Sequence, residues 1–519
     1  MSNAESSPIP TSTNPLLGRL NSRLLLAVTA ASLSYLTYPR LGIWILLYPL
    51  VGLLYLAGRG LHFWKAYLIG LVAGFTFFAA QTSWLSSYLG PVPLIALSFL
   101  EGFIFAAFFA ASQAVSTALE GRFSGSTRSV FLAFTFSTFW VAREWFSGNY
   151  PYGGFPWARL VHSQADTLVS RWVWLGGSPL TDFLIAFCVI FAIEFLRQGR
   201  STRRLALTLA SFAALTFVPL TFAISNKPDH GTITVGAAQG SAKSGLFANR
   251  DAGKLLANHI LATEAMVATG KKFDVVVWPE NAVDLDLYGN PANYRRLENF
   301  VNELGRPLIF GTVTNRDKLF NTSVLWLPLK GSTDWYDKLR PVPFAEYVPD
   351  RAFWSKVAPD LIGLLNYDFA PGKRDGIFKI ENKSVGVLIC FEIAVDQVPR
   401  QLVNGGAEVI FSQTNNSDFG TSDEAYQQLA IARIRAIETG RALVNISTVG
   451  PSAIFLPDGS VQNYLSAYHR GFMLDTIPLR TTKTPAMFLT EPLDWGFAST
   501  ALAMSLLLVA SKLRRRFKK

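Results

Sequence analysis

Eight apolar stretches constrain the fold of this chain more than any other feature of its sequence. An α-helix needs roughly 20 predominantly apolar residues to cross the hydrocarbon core of a bilayer. The stretches lie near residues 20–37, 42–58, 64–84, 92–118, 128–147, 178–196, 204–223 and 492–511. We therefore predict seven membrane helices, a long middle region, and an eighth membrane helix near the C-terminal end.

Basic residues are concentrated in the apolar parts of the chain. The whole sequence is 50% hydrophobic and 16% charged, and its formal net charge is +11. Residues 228–482 hold 25 Lys and Arg against 27 Asp and Glu, so the other residues hold 22 against 9. A basic rim around apolar segments is typical of membrane topology, and it argues against a phosphate-binding surface for nucleic acid.

The positions of Lys and Arg also predict an orientation, because cytoplasmic loops are enriched in both. With the N-terminus inside, 16 of those 22 basic residues fall on the cytoplasmic side, including Arg59, Arg197 and the C-terminal run KLRRRFKK. The middle region then lies on the extracytoplasmic side, and both termini are cytoplasmic.

Composition divides the chain into four predicted parts. Residues 1–19 are a polar segment without the basic region of a signal peptide, which we expect to be a disordered cytoplasmic tail. Residues 20–225 form the seven-helix membrane domain and residues 228–482 a separate domain. Residues 490–519 hold the eighth helix and a basic cytoplasmic tail.

The middle region has the pattern of an α/β domain. Short β-rich runs such as TITVGAAQ, FDVVVWP and VGVLIC alternate with helical patterns such as DEAYQQLAIARIRAIETGRA. Strands that are apolar throughout are buried on both faces, so helices must cover the sheet. The predicted fold class is therefore α/β combined with membrane α-helices.

Three residues of this domain have side chains suited to acyl-transfer chemistry. Glu280 follows FDVVVWP, where the neighbouring Trp and Pro would desolvate its carboxylate and favour a general base. Lys338, in DWYDKLRPVPFAEYVP, could stabilise an oxyanion. Cys390 ends the run SVGVLIC, and a thiolate there would be a nucleophile.

Each of these residues also has an ordinary interpretation. Glu280 could cap a turn, Lys338 could be a surface lysine, and Cys390 could pack in the core, as we expect of Cys188 in TDFLIAFCVIFAIEFL. None of the five histidines lies in these motifs, so a cysteine nucleophile would need another base.

The three motifs together resemble a known family. WPEN, YDKLRPVPFAEYVP and GVLICFE occur in the order and rough spacing of the Glu-Lys-Cys carbon-nitrogen hydrolase, or nitrilase-like, superfamily. With seven preceding membrane helices and one following helix, the chain resembles the apolipoprotein N-acyltransferases, from about residue 20 to residue 511. YGGFPWARL and AYQQLAIARIRAIETGR add to the resemblance, and the TNN turn is similar to that of actinobacterial members.

The resemblance implies roles for six residues. Glu280 would be the general base, Lys338 would stabilise the oxyanion, and Cys390 would carry the acyl group as a thioester. The supporting residues would be Glu346 in PFAEYVP, which would assist Lys338 or the base, and Phe391 and Glu392, with Phe391 where the family often has Tyr.

The resemblance also implies an architecture and partners. It implies a nitrilase-like αββα sandwich between the seventh and eighth helices of a multi-pass protein of the bacterial cytoplasmic membrane. A membrane phospholipid would donate the acyl chain, and a diacylglyceryl-modified apolipoprotein would accept it. The protein would act as a monomer.

Two departures from the family pattern bear on lipid contacts. Asp418 begins the sequence Asp-Phe-Gly after TNNS, where the family often has Trp-Phe-Gly. The frequent Trp after the QG pair is absent, and Phe247 and Ala248 lie near its position. These changes leave the three reactive residues intact but affect the expected donor preference.

The sequence leaves other functions open. One is a membrane-tethered nitrilase-like amidase that hydrolyses an amide or ester with water as acceptor, and another is a non-catalytic membrane scaffold. Transport is disfavoured, because no pair of broken helices is evident in the sequence. The dispersed histidines and the lack of a CxxC motif predict no metal and no other cofactor.

Two further features each have two interpretations. Residues 351–369 mix large apolar side chains with few charges, which suggests a mobile arm that dips into lipid or, alternatively, ordinary packing. Glu101 lies in an apolar stretch, where an ionisable group is costly; structural pairing is favoured over substrate contact.

Overall fold

The protein was analysed as a computed structural model that describes residues 20–199, 201–244, 251–365 and 367–517. The predicted disordered tail therefore lies outside the described residues. The N-terminal part is helical. Its helices are α1 (Leu20–Thr37), α2 (Leu47–Gly58), α3 (Phe63–Gln81), α4 (Leu85–Leu89), α5 (Pro91–Leu119), α6 (Gly125–Ser147), α7 (Val173–Arg197) and α8 (Thr202–Phe217).

Every predicted apolar stretch coincides with a helix, but only some of these helices are clear membrane spans. Five spans in the described part of the chain are long and apolar enough to cross a bilayer: Phe63–Gln81, Pro91–Arg122, Leu168–Arg197, Thr202–Thr221 and Ala486–Arg514. A sixth apolar helical stretch, Trp44–Gly58, is shorter. Helices α1 and α6 are not among these spans.

Small residues let two of the membrane helices approach closely. A Cβ added at Gly74 would lie 3.0 Å from the Cα of Gly102, and one added at Gly70 would lie 2.9 Å from the Cα of Ala106. In lipid, apolar side chains gain no hydrophobic free energy by moving from the acyl chains into a helix contact. Membrane helices therefore associate through close packing of this kind. The pair α3 and α5 is thus held together by its glycines.

Helix α7 is kinked near its start. Gly176 and Gly177 have non-helical backbone angles, and Pro179 follows them inside the helix. A Cβ at Gly177, whose φ is +67°, would lie 2.3 Å from the Oγ1 of Thr490. The kink therefore brings α7 close to the C-terminal helix.

Two six-stranded sheets form the middle of the chain. The first has the order β12-β1-β2-β3-β4-β5 and the second the order β11-β10-β9-β8-β7-β6. The strands are β1 (Thr232–Gln239), β2 (Val275–Val277), β3 (Leu308–Asn315), β4 (Leu319–Leu327), β5 (Gly331–Asp337), β6 (Ile377–Ile380), β7 (Lys383–Ile389), β8 (Val409–Thr414), β9 (Leu443–Ser447), β10 (Ser452–Phe455), β11 (Val461–Leu465) and β12 (Gly471–Pro478).

Each sheet has parallel central strands and antiparallel edges. In the first sheet β1, β2 and β3 are parallel, and in the second β7, β8 and β9 are parallel. The remaining helices are α9 (Lys254–Val267), α10 (Pro291–Leu304), α11 (Arg351–Val357), α12 (Pro359–Ile362), α13 (Gln397–Asn404), α14 (Glu424–Thr439) and α15 (Ala486–Phe517).

The two sheets pack face to face between helices. Val235 and Val277 of the first sheet share one apolar core with Val387 and Phe411 of the second. Helices α9 and α10 cover the outer face of the first sheet. The predicted nitrilase-like α/β fold is thus confirmed as helix, sheet, sheet, helix.

The second helical layer faces the membrane helices. One continuous apolar cluster includes Leu402 on α13, Ile431 on α14, and Leu50 and Phe77 on membrane helices. Burial of apolar side chains is the main favourable term in such packing. The layer that carries α14 is therefore shared between the sandwich and the membrane helices.

Candidate active site

The three reactive residues predicted from the sequence lie directly after strands. Glu280 follows β2, Lys338 follows β5, and Cys390 follows β7. The structure brings them into one buried cluster, in which 5% of Glu280 and 1% of Lys338 are exposed. The side chains of Cys390 and Glu280 are close enough to affect each other's pKa, and the ammonium of Lys338 lies 3.6 Å from Glu280 Oε1.

Glu346 and Asn321 complete the polar surroundings of this cluster. Lys338 Nζ lies 2.9 Å from Glu346 Oε2. The Asn321 side-chain amide donates to Glu280 Oε1 at 2.7 Å and to Glu346 Oε1 at 2.8 Å. The Val342 backbone N–H donates to Glu346 Oε2 at 2.6 Å. Two carboxylates thus hold Lys338, and Asn321 fixes the spacing between them.

Electrostatics in this cluster favours a charged lysine beside a neutral thiol. Burial disfavours the ammonium of Lys338, but Glu346 and Glu280 outweigh it and raise the pKa of that lysine above its ordinary value. Burial, followed by the charge of Glu280, raises the pKa of Cys390, and Lys338 only partly opposes this. Burial also raises the pKa of Glu280.

Lys338 lowers the pKa of the Cys390 thiol, but the net direction for this thiol is upward. The physical reason is that burial and the carboxylate of Glu280 both oppose a second negative charge there. These surroundings therefore favour the neutral thiol of Cys390 over its thiolate.

The backbone at Cys390 is in the left-handed region, with φ +54°. A 3₁₀ turn over Cys390–Ile393 follows the strand at once. A non-glycine residue in this conformation costs about 1 to 3 kcal/mol and is held there only by its surroundings. Strand β7 therefore delivers the sulfur through a sharp turn.

Glu392 supplies part of that support. Its Oε2 accepts from the Ile389 backbone N–H at 2.8 Å. Its Oε1 accepts from the Tyr336 hydroxyl at 2.8 Å and from the Leu339 backbone N–H at 2.7 Å. Glu392 thus ties the turn at Cys390 to the segment that carries Lys338.

Phe391 points towards the membrane part. Its ring stacks on Phe155, with centroids 6.2 Å apart and planes at 14°, and on Trp157, with centroids 6.3 Å apart and planes at 10°. Trp84 contacts both Trp157 and Phe419 edge-on. An aromatic wall of Phe155, Trp157 and Phe391 therefore begins one residue after Cys390.

The structure also shows an ionic link that sequence analysis missed. Arg159, in YGGFPWARL, donates two hydrogen bonds to Asp396, at 2.9 and 2.6 Å. Arg435 on α14 donates to Asp396 at 2.5 Å and to the carbonyl of Ile393 at 2.9 Å. Both arginines lie in motifs quoted for the family resemblance, and that was the only sequence signal available.

Two polar residues of α14 were also missed. Gln428 donates to Cys390 Sγ at 3.6 Å, and Glu424, one helical turn earlier, accepts from Asn416 at 2.7 Å. Burial, followed by the charge of Glu280, raises the pKa of Glu424 to about 8. The i, i+4 spacing of these two residues is the signal that could have placed them on one face of the helix.

The remaining sequence candidates lie in different surroundings. Asp418 lines an open cavity of about 1140 Å³ next to Asn281 and Asn415. Glu101 is buried and accepts from the Ser147 hydroxyl at 2.6 Å, which agrees with structural pairing. Phe247 and Ala248 lie outside the described residues.

Comparison with known proteins covers both parts of the chain. A family model described as "Apolipoprotein N-acyltransferase N-terminal domain" matches residues 30–191. A second, described as "Carbon-nitrogen hydrolase", matches residues 234–484. The two models thus match the membrane helices and the double sheet separately, in the order in which the chain presents them.

Several relatives match most of the length of this chain. Proteins named apolipoprotein N-acyltransferase from Mycolicibacterium smegmatis and Azotobacter vinelandii are 28% and 27% identical to this chain. The first match covers 87% of this chain and 79% of the relative, and the second covers 95% of each. The Nesterenkonia amidase structure with its Cys-to-Ala change is 15% identical, with a TM-score of 0.38, and covers 51% of this chain and 96% of that one.

Proposed function

The chain belongs to the apolipoprotein N-acyltransferase family, and we propose that it transfers the acyl group through a thioester on Cys390. Its activity is the N-acylation of lipoproteins, and it is an acyltransferase with a carbon-nitrogen hydrolase domain. The observation that carries the proposal is the contact of Cys390 with Glu280, beside the ammonium of Lys338.

The first half-reaction takes an acyl chain from a membrane phospholipid. Glu280 accepts the proton of Cys390, and the thiolate attacks the ester carbonyl. Lys338 stabilises the negative charge that develops on the carbonyl oxygen. The C–O bond then breaks, Glu280 returns the proton to the departing oxygen of the lyso-lipid, and the acyl group remains on sulfur.

The second half-reaction passes the acyl group to an amine. The acceptor is the α-amino group of the diacylglyceryl-modified cysteine of an apolipoprotein. The neutral amine attacks the thioester and loses a proton to Glu280. The C–S bond breaks, the thiolate takes back that proton, and the amide product leaves. Two substrates that react in turn with one sulfur give ping-pong kinetics.

The packing of the site against membrane helices supports lipid as the donor. The aromatic wall joins Phe391 to Phe155 and Trp157, which lie in the loop after α6. An acyl chain that leaves the bilayer along this wall would reach Cys390 without crossing water. A soluble amidase would have no need for that connection.

We further infer the arrangement of the chain in the membrane. All eight apolar helices would span it, including α1, α2 and α6, with residues 228–482 between the seventh and the eighth. The double sheet would lie on the extracytoplasmic side of the bacterial cytoplasmic membrane, and both termini in the cytoplasm. The basic residues near the predicted inner ends support this orientation. The protein would work as a monomer.

Capture of the thioester tests the proposal. Purified protein is mixed with a phospholipid that carries a labelled acyl chain, and the peptide containing Cys390 is weighed by mass spectrometry. The expected result is the mass of one acyl chain on Cys390, lost when a diacylglyceryl-cysteine peptide is added and recovered as its amide. Cys390→Ser is expected to carry no thioester.

The same experiment separates the alternatives. Release of the labelled chain as free fatty acid, with none on the peptide amine, would support a hydrolytic amidase. Absence of any labelled protein, with Cys390 freely alkylated in the folded protein, would support a non-catalytic scaffold. Either outcome overturns the acyl-transfer mechanism.

A further inference from the structure

Gln428 is a second polar contact of the reactive sulfur. Its side-chain nitrogen Nε2 lies 3.6 Å from Cys390 Sγ. The residue lies on α14 and is 2% exposed, so no solvent competes for its amide. Glu280 also acts on this sulfur, so Gln428 and Glu280 both influence it.

A chain of hydrogen bonds that starts at the Gly450 backbone N–H determines which end of the Gln428 amide faces Cys390. The Gly450 N–H can only donate, and it donates to the Ser447 hydroxyl at 2.9 Å. The hydroxyl hydrogen of Ser447 is therefore free to donate to Asn416 Oδ1, at 2.5 Å. This fixes the oxygen of the Asn416 amide towards Ser447 and its NH₂ group towards the other side.

The Asn416 NH₂ group then orients Gln428. It donates to Glu424 Oε2 at 2.7 Å and to Gln428 Oε1 at 2.8 Å. With its oxygen occupied in this way, Gln428 presents its NH₂ group to Cys390. Asn416 is 3% exposed and Ser447 is fully buried, so the relay is shielded from water along its length.

We propose that Gln428 is a catalytic residue that stabilises the thiolate of Cys390 by hydrogen bonding, and that Asn416 and Ser447 are positioning residues that aim its amide. A hydrogen bond from an amide to a neutral thiol is weak, whereas the same bond to a thiolate is charge-assisted and stronger. Gln428 therefore acts mainly on the charged form of the sulfur.

This role extends to both halves of the proposed reaction, on whose mechanism it rests. In the first half the thiolate forms as Glu280 takes the proton. In the second it forms again, when the C–S bond of the thioester breaks and sulfur takes the electron pair. Stabilisation of a thiolate also lowers its nucleophilicity, which offsets the gain in the first half but not in the second. Loss of Gln428 is thus expected to slow release of the acyl group more than its capture.

The proposal is tested on the thiol itself, without lipid or acceptor. The full-length protein in detergent is alkylated with iodoacetamide over a range of pH, and the modification of Cys390 is followed by mass spectrometry. Gln428→Met keeps the size of the side chain and removes its donor. We expect the midpoint of the pH profile to rise by about one unit, which corresponds to a roughly tenfold loss of thiolate.

Gln427 provides the matched control. It is the neighbouring buried residue on the same helix, but it bonds to the Trp157 side chain and the Gln81 carbonyl. Gln427→Met is expected to lower thermal stability to a similar degree and to leave the alkylation midpoint at the parental value. An equal shift in both variants would mean that helix packing, not a bond to sulfur, sets the midpoint, and would overturn the proposal.

A double-mutant cycle tests the relay. Asn416→Leu removes both donors that aim Gln428 and is expected to raise the midpoint in the parental protein. In the Gln428→Met background it should add little, because the amide that it orients is gone. Additive shifts would refute the positioning role of Asn416. Since none of these measurements involves acyl transfer, they stand apart from a failure of the proposed function, which would appear only with phospholipid.

Discussion

Arg159 and Asp396 are joined by two parallel hydrogen bonds, of 2.9 and 2.6 Å, although 237 positions separate them in the chain. Asp396 follows Cys390 by six residues, so a loop of the membrane part holds the segment that begins at the reactive sulfur. The turn at Cys390 is therefore anchored on both sides, by Glu392 within the sandwich and by Arg159 outside it.

The first prediction concerns this anchor. Arg159→Lys keeps the charge but loses the two-pronged geometry that a guanidinium alone provides. Because the pair is buried, we expect acyl transfer to fall by about tenfold or more and the melting temperature to fall by several degrees. Turnover and thermal unfolding in detergent measure the two effects.

Arg433→Lys is the control for that prediction. Arg433 lies on α14 and pairs with Asp166, which is 78% exposed. Exposed pairs contribute about 0 to 1 kcal/mol, so little change is expected. If both variants behave alike, the position of the turn does not depend on Arg159.

The second prediction concerns Glu346. Glu346→Gln removes one of the two carboxylates that hold Lys338, and the ammonium is expected to move to Glu280, now 3.6 Å away. A shorter distance between Lys338 and Glu280 stabilises the ionised carboxylate of Glu280, and this makes Glu280 a weaker base. We expect single-turnover thioester formation to slow by roughly a hundredfold, in the range seen when a general base is lost.

Glu381→Gln is a surface control, since Glu381 is 79% exposed and pairs only loosely with Lys383. Unchanged thioester formation in Glu346→Gln would show that Glu346 is not needed to keep Lys338 in place. A smaller amount of folded protein, as opposed to a slower rate of thioester formation, would be detected in the same samples by thermal unfolding.

The third prediction is a pH dependence of stability. Burial raises the pKa of Glu424 to about 8, above the value of about 4.3 in an unfolded chain. Between these values the native state binds more protons than the unfolded state, so this residue lowers stability as pH rises through that window. Glu424→Gln should therefore raise the melting temperature by a few degrees more at pH 8 than at pH 5.

Thermal unfolding in detergent at several pH values measures this effect. The glutamine retains an oxygen that can accept from Asn416, so the native hydrogen bond is expected to persist. Parallel melting curves for the parent and the variant across this range would contradict the assignment of a neutral carboxyl at position 424.

The fourth prediction concerns the proposed arm, residues 351–369. Phe353, Val357 and Leu364 are exposed, between 54% and 58% of each, whereas Trp354 packs on Phe344 with ring centroids 5.2 Å apart. If the arm enters lipid, Phe353→Asp with Val357→Asp should reduce acyl transfer from bilayer phospholipid by about fivefold or more, because both apolar side chains would lose their lipid contacts.

Ser355→Asp with Lys356→Gln, on the same exposed helix, also lowers the net charge by two and is the charge-matched control. A water-soluble short-chain donor should be used equally well by all of these variants, since it does not require insertion. Equal turnover on bilayer phospholipid would remove the arm from the mechanism.

The sequence predicted the parts of the fold that depend on local patterns. Apolar length located every helix of the N-terminal part except the short α4, and β-rich runs located the strands that end at Glu280 and Cys390. Strands β2 and β7 lie in different sheets, so it was the family resemblance, and not the edge of one sheet, that predicted that these motifs would meet. The helical kink at Gly176 and Gly177 was not predicted, because two glycines in an apolar stretch do not distinguish a bend from close packing.

Contacts between distant segments could not be predicted. Asn321, which spaces Glu280 from Glu346, lies in a strand with no motif around it. The hydrogen bonds that run from Gly450 to Gln428 require β9, the TNNS turn and α14 to lie side by side. No periodicity in the sequence predicts contacts between these three segments. The net rise of the Cys390 pKa could not be predicted for the same reason, since burial was not visible in the sequence.

The positive φ of Cys390 has one more consequence. Glycine adopts that conformation without a steric penalty. Selection for thermal stability alone would therefore favour glycine at position 390. The left-handed conformation of Cys390 lowers the stability of the fold. The same conformation makes its thiol project from the end of a rigid strand. Stabilising this protein without loss of turnover must therefore begin elsewhere in the chain.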